Sequence, residues 1–135
     1  MVSIEISYTG DLHCEATHGP SGSVIQTDAP KDNQGKGEAF SPTDLLATAL
    51  ATCILTTMGI MARRLEVDMT GATARVDKIM SSEGPRRVAA LPLVISMPAG
   101  ISELNRTKLE AAAQTCPVAK SLHPDVKKTL TFEWA

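Results

Sequence analysis

Residues 45–62 are the longest mainly apolar stretch of the chain, opened by Ser41-Pro42 and closed by Arg63-Arg64. Serine is a good N-cap, proline suits the first helical position, and Asp44 sits near the positive end of the dipole. A helix from Pro42 to about Arg64 is therefore expected, with the two arginines at its negative end. At roughly 100° per residue, Leu46, Ala49, Leu50, Cys53, Thr57 and Ile60 share one face. Ala51, Met58 and Leu65 point elsewhere, so the helix is apolar on several sides and has to be covered on several sides. A chain of 135 residues has little surface to do this alone, and an obligate dimer with a large apolar interface is expected. Threonines interrupt the stretch, and its marginal length and polarity argue against a membrane span.

Around this helix the pattern is β. Val2, Ile4, Ile6 and Tyr8 share one face of a first strand, and Gly10-Asp11 makes a turn. Leu12, Cys14, Ala16 and His18 alternate inward on a second strand, and residues 23–27 make a third. The polar, glycine-rich residues 30–39 read as a loop, flexible at 34–37. After the helix, 67–80 and 88–97 read as a β hairpin turning at Glu83-Gly84-Pro85, with Leu91, Leu93, Ile95 and Met97 on one face. Pro92 suggests an edge strand or a bulge. Ser102 opens a second helix whose buried stripe is Leu104, Leu109, Ala112 and Ala113, and which reaches Cys116. Pro117 begins a short turn up to Leu122, and Leu130, Phe132 and Trp134 alternate in a closing strand. The expectation is one α+β domain over residues 1–135.

Composition removes several function classes. The net charge is −2 with scattered positive charges, which is not the basic stripe that nucleic acid or an anionic membrane requires. The first ten residues alternate in polarity and read as a strand rather than a signal peptide, so a cytoplasmic location, where thiols stay reduced, is expected. Cys14, Cys53 and Cys116 are far apart and odd in number. Such spacing suits neither a disulfide framework nor a zinc site.

Thiol chemistry or plain burial remains. Read alone, each cysteine is a small buried hydrophobe before it is a reactive thiol, and Cys14 is expected to be a packed core thiol. His13 and His18 point to opposite faces of their strand, and Cys116 with His123 lacks a third ligand, so no metal is expected. The glycine-rich loop at 34–37 lacks the phosphate-binding pattern.

The segment from Phe40 through Ser41-Pro42, Leu45-Leu46 and the alanine-rich face to Cys53 resembles the central-helix signature of the OsmC/Ohr family. Cys116-Pro117-Val118 followed by Ser121-Leu122 resembles that family's second cysteine motif, and the order of elements agrees over nearly the whole chain. The resemblance implies an OsmC-like α+β fold, a curved antiparallel sheet wrapped around the long helix, in an intertwined homodimer with sites at the interface. It implies reduction of organic hydroperoxides, with Cys53 as peroxidatic and Cys116 as resolving cysteine. The implied reductant is a dithiol such as a lipoyl group, and no metal or flavin cofactor is implied.

Two positions depart from the pattern. Ohr-type members have a glutamate after the helix-opening proline, where this chain has Thr43; Glu38, just ahead of the helix, is the candidate replacement. They also carry an activating arginine in the early strands, and residues 1–62 contain none. Arg63, Arg64, Arg86 and Arg87 are the remaining sources of charge, and without a cation a high Cys53 pKa is expected. The alternative reading is a non-catalytic dimer that binds a small apolar or thiol-bearing ligand.

Overall fold

The computed structural model describes residues 1–135, which fall into two compact units, Met1–Leu45 and Leu46–Ala135.

In the first unit, strands β1 (Ile4–Gly10), β2 (His13–His18) and β3 (Val24–Asp28) form an antiparallel sheet in the order β1-β2-β3. Register places Ile6 opposite Ala16 and Ala16 opposite Ile25, so Ile4, Ile6, Tyr8, Cys14, Ala16 and Ile25 share one face. That apolar face is open: Ile4, Ile6 and Tyr8 are 55%, 62% and 67% exposed. Cys14 on it is only half-buried, not the packed core thiol expected. The β1–β2 turn lies one residue later than the sequence suggests, with Asp11 and Leu12 both at positive φ. Leu12 is thus a turn residue and not an inward strand residue.

Residues 29–40 are a pinned loop rather than a flexible one. The Asp28 N–H donates to the Phe40 carbonyl at 3.1 Å, and one Asp28 carboxylate oxygen accepts the Glu38 N–H at 3.0 Å. The Gly35 N–H donates to the Pro30 carbonyl, and a Cβ on Gly35 would lie 1.7 Å from the Ala29 carbonyl oxygen. Gly35→Ala is expected to force main chain apart and lower stability by about 1–3 kcal/mol, read as a fall in the urea midpoint at unchanged m-value. An unchanged midpoint would show that the loop yields freely.

Helix α1 (Pro42–Arg64) starts in this unit. Ser41 Oγ accepts the Asp44 N–H at 3.0 Å and the Asp44 carboxylate accepts the Ser41 N–H at 2.9 Å, a reciprocal cap that satisfies two otherwise orphaned donors. At the other end, Val67 N–H reaches the Ala62 carbonyl and Glu66 N–H the Arg63 carbonyl, with Glu66 at φ 56°. This is a Schellman stop built without glycine.

In the second unit α1 supplies the core. Its buried residues are Ala47, Leu50, Ala51, Ile54, Met58 and Ala62, whereas Ile60 is exposed. By length and composition α1 would reach across a membrane, with mean hydropathy 1.9 over 18 residues. The expectation that it falls short does not hold on that measure; what the structure displays is a core helix.

Strand β6 (Val88–Met97) is central, antiparallel to β4 (Thr73–Val76) and β5 (Ile79–Met80) on one side and parallel to β7 (Lys127–Trp134) on the other. Leu91, Leu93, Ile95 and Met97 are buried on one face, as their alternation requires. Each such residue contributes about 1.5–3 kcal/mol of burial. Two details differ from expectation. The first hairpin arm begins only at Thr73, because residues 69–72 form a turn. Pro92 lies in the interior strand, where it accepts the Asp77 N–H but has none to return, and the partner strand breaks into β4 and β5 there.

Helix α2 (Glu103–Ala113), capped by Ser102, buries Leu109, Ala112 and Ala113. Leu104 is 66% exposed, a correction: five residues before Leu109 it lies about 140° around the helix. Helix α2 also stops short of Cys116, which instead caps α3 (Pro117–Ser121). Arg106 stacks over Trp134 at 5.1 Å, and the Trp134 indole N–H donates to Glu110 at 2.9 Å. The chain is α+β with a long core helix, as expected; its strands form two sheets, and the β6–β7 pair is parallel.

Candidate active site

Cys53 lies midway along α1, half-buried among core side chains, and Cys116 is 0% exposed. The structure brings the two thiols close enough for each to act on the other's ionisation. Pro117 at the first position of α3 has no N–H, so the first donors of that helix are Val118 and Ala119. Ala119 N–H donates to Cys116 Sγ at 3.5 Å, and the Val118 N–H favours the ionised form of both cysteines. Thr57, one turn along α1, places its hydroxyl 4.0 Å from Cys53 Sγ.

These contacts split the two thiols. Burial pushes the Cys53 pKa up, but donation from Cys116, Val118 and Thr57 outweighs it, and the thiol titrates below its ordinary value. Burial first, and then donation to Cys53, raise Cys116 above its ordinary value. Of the pair, Cys53 is therefore the thiol that gives up its proton first, and Cys116 the one that donates to it. No cation is among the groups acting on Cys53. The high Cys53 pKa expected without an early arginine is thus corrected: neutral donors do the lowering.

Iodoacetamide alkylation of Cys53, followed by peptide mass, should rise with pH and level off below the ordinary thiol pKa. Cys116→Ala removes a donor and should move that inflection upward. An inflection unmoved by Cys116→Ala would show that the thiols do not interact.

Between α1 and α2 lies a cavity of about 530 Å³, lined by Thr57, Ile60, Met61, Ala111, Ala112 and Thr115 with Arg64 and Lys108. Thr57 is common to this cavity and the thiol pair. The other sequence candidates are elsewhere. Glu38 belongs to the first unit, lining a polar cavity of about 240 Å³ with His13, Asp28 and Lys36. There the His13 ring engages Asp28, first among the influences that hold its carboxyl below the usual range. His123 is exposed and accepts the Asp125 N–H, away from any metal cluster. Sequence reasoning missed the donor role of Val118, although the proline ahead of it was the available signal.

The same fold recurs in solved structures. An OsmC-like protein from Mycoplasma pneumoniae superposes with a TM-score of 0.83 at 19% identity, over 100% of this chain and 97% of that one. The organic hydroperoxide resistance protein OhrB of Bacillus subtilis gives 0.72 at 15% identity over 98% of each chain. A Psychrobacter arcticus protein, provisionally assigned to the osmotic stress induced and detoxification response, gives 0.92 at 47% identity, over 98% of this chain and 96% of that one. The family model for OsmC-like proteins matches residues 35–131. The chain belongs to the OsmC-like family. No protein of curated function matches it.

Proposed function

We propose that this protein is a thiol peroxidase that reduces organic hydroperoxides through Cys53 and Cys116. The feature that carries the reading is the pairing of the two thiols, with Cys53 on α1 the more acidic and Cys116 buried at the start of α3. The Cys53 thiolate attacks the terminal oxygen of ROOH, the O–O bond breaks, and the alkoxide takes a proton to leave as ROH. Cys116 then attacks the Cys53 sulfenic acid, forming the disulfide and releasing water. A dithiol such as a lipoyl group returns two electrons and two protons and leaves as its own disulfide. Glu38 enters this reading only as the acid ahead of α1.

The apolar cavity beside Thr57 supports alkyl peroxides over hydrogen peroxide. The open apolar face of β1–β3 supports a homodimer, since a patch of this kind ordinarily marks an interface. Consumption of tert-butyl and cumene hydroperoxide with dihydrolipoamide and dithiothreitol tests the reading, against hydrogen peroxide as comparison. Equal rates for the wild type and Cys53→Ser with every dithiol would sink it. The non-catalytic reading, a dimer holding an apolar or thiol-bearing ligand, would then replace it; the absence of arginine from residues 1–62 and Thr43 in place of a glutamate favour it.

A further inference from the structure

Helix α3 is five residues long and buries none of them fully, so packing contributes little to holding it and its caps matter more. Its first free N–H groups face sulfur: Ala119 donates to Cys116, and Val118 acts on both Cys53 and Cys116. Closing a disulfide draws the two sulfurs to about 2.05 Å, so Cys116 Sγ has to move from the position at which it caps Ala119.

Reduction poses a separate problem. Thiol exchange proceeds faster when the better leaving group departs, and of the two sulfurs Cys53 is the more acidic. The dithiol should therefore attack Cys116 and expel Cys53, yet Cys116 is 0% exposed in the reduced state. Behind α3, Ala119 and Lys120 form part of the wall of a cavity of about 230 Å³ that also touches Leu50, Ile54 and Gln114.

We propose that α3 is a redox-responsive cover: disulfide formation between Cys53 and Cys116 removes its sulfur caps, releases Pro117–Ser121, and exposes Cys116 to the reductant. The inference rests on the thiol-pair reading above. One thiolate of the dithiol then attacks Cys116 Sγ, and the S–S bond breaks with its electron pair leaving on Cys53. The second thiol attacks the mixed disulfide, releasing Cys116, which takes up a proton, and the oxidised dithiol departs.

Hydrogen exchange by mass spectrometry tests this on the whole chain, reduced and after treatment with diamide, which takes up the two electrons and two protons of the thiols. Peptides covering 117–122 should exchange about 5–10-fold faster in the disulfide form, the loss expected when a cap is removed. Peptides covering α2 should not change. Cys116→Ser keeps an oxygen cap and cannot form the disulfide, so its 117–122 peptides should exchange slowly with or without diamide. A monothiol, 2-mercaptoethanol, should leave its first adduct on Cys116. The intact mass separates the outcomes. A confirmed disulfide with unchanged exchange, or with the first adduct on Cys53, overturns the cover and leaves the thiol pair standing. No disulfide between Cys53 and Cys116 overturns both.

Discussion

Cys53→Ser is expected to remove organic hydroperoxide turnover, by about 10³-fold or more, as removal of a covalent nucleophile generally does. The reason is chemical rather than steric. Serine fits the half-buried position on α1, but its hydroxyl is un-ionised at neutral pH and forms no sulfenic acid. The donors from Cys116, Val118 and Thr57 would then surround an un-ionised group with nothing to stabilise. Far-ultraviolet circular dichroism should be unchanged, which separates loss of chemistry from loss of fold. In the wild type the rate should rise with pH as Cys53 loses its proton and reach its plateau below the ordinary thiol pKa. Cys116→Ser should differ in kind: a first fast turnover survives, recycling slows, and overoxidised Cys53 accumulates.

The second large effect concerns assembly. Ile6 and Tyr8 are mostly exposed in the isolated chain, and substitutions at exposed sites usually change stability by less than about 0.5 kcal/mol. If a partner covers this face, Ile6→Glu with Tyr8→Glu places unpaired carboxylates in an apolar interface, at several kcal/mol in total. At 1.4 kcal/mol per tenfold, association should weaken by roughly 10³-fold or more. Sedimentation at micromolar concentration is expected to show a wild-type dimer and a monomeric double variant. A wild-type monomer, or a double variant that still sediments as a dimer, would remove the assembly from the proposal.

Strong local chemistry was legible in the sequence. The Ser41-Pro42 start of α1 and the Leu91, Leu93, Ile95, Met97 alternation follow from capping and from the two-residue strand period, and both stand in the structure. What failed depended on neighbours. Leu104 was assigned to the wrong face because apolar character stood in for helical phase. Pro92 was read as an edge signal because a one-sequence reading cannot see β7 arrive in parallel on the other side of β6. The stop of α1 at Glu66 carries no glycine to announce it. At the site, the cysteines were visible and their separation in acidity was not. That separation comes from the α3 amides and from Thr57, and becomes apparent only when α1 and α3 are brought together.

The placement of the aromatic residues has a practical consequence. The chain has one tryptophan and one tyrosine; Trp134 lies in the second compact unit, against Arg106 and Phe132, and Tyr8 lies in the first. Each unit thus carries its own chromophore, without any label being added. Tryptophan emission follows the melting of one unit and tyrosine absorbance that of the other, so a single denaturation series reports whether the two lose structure in one cooperative step or in two.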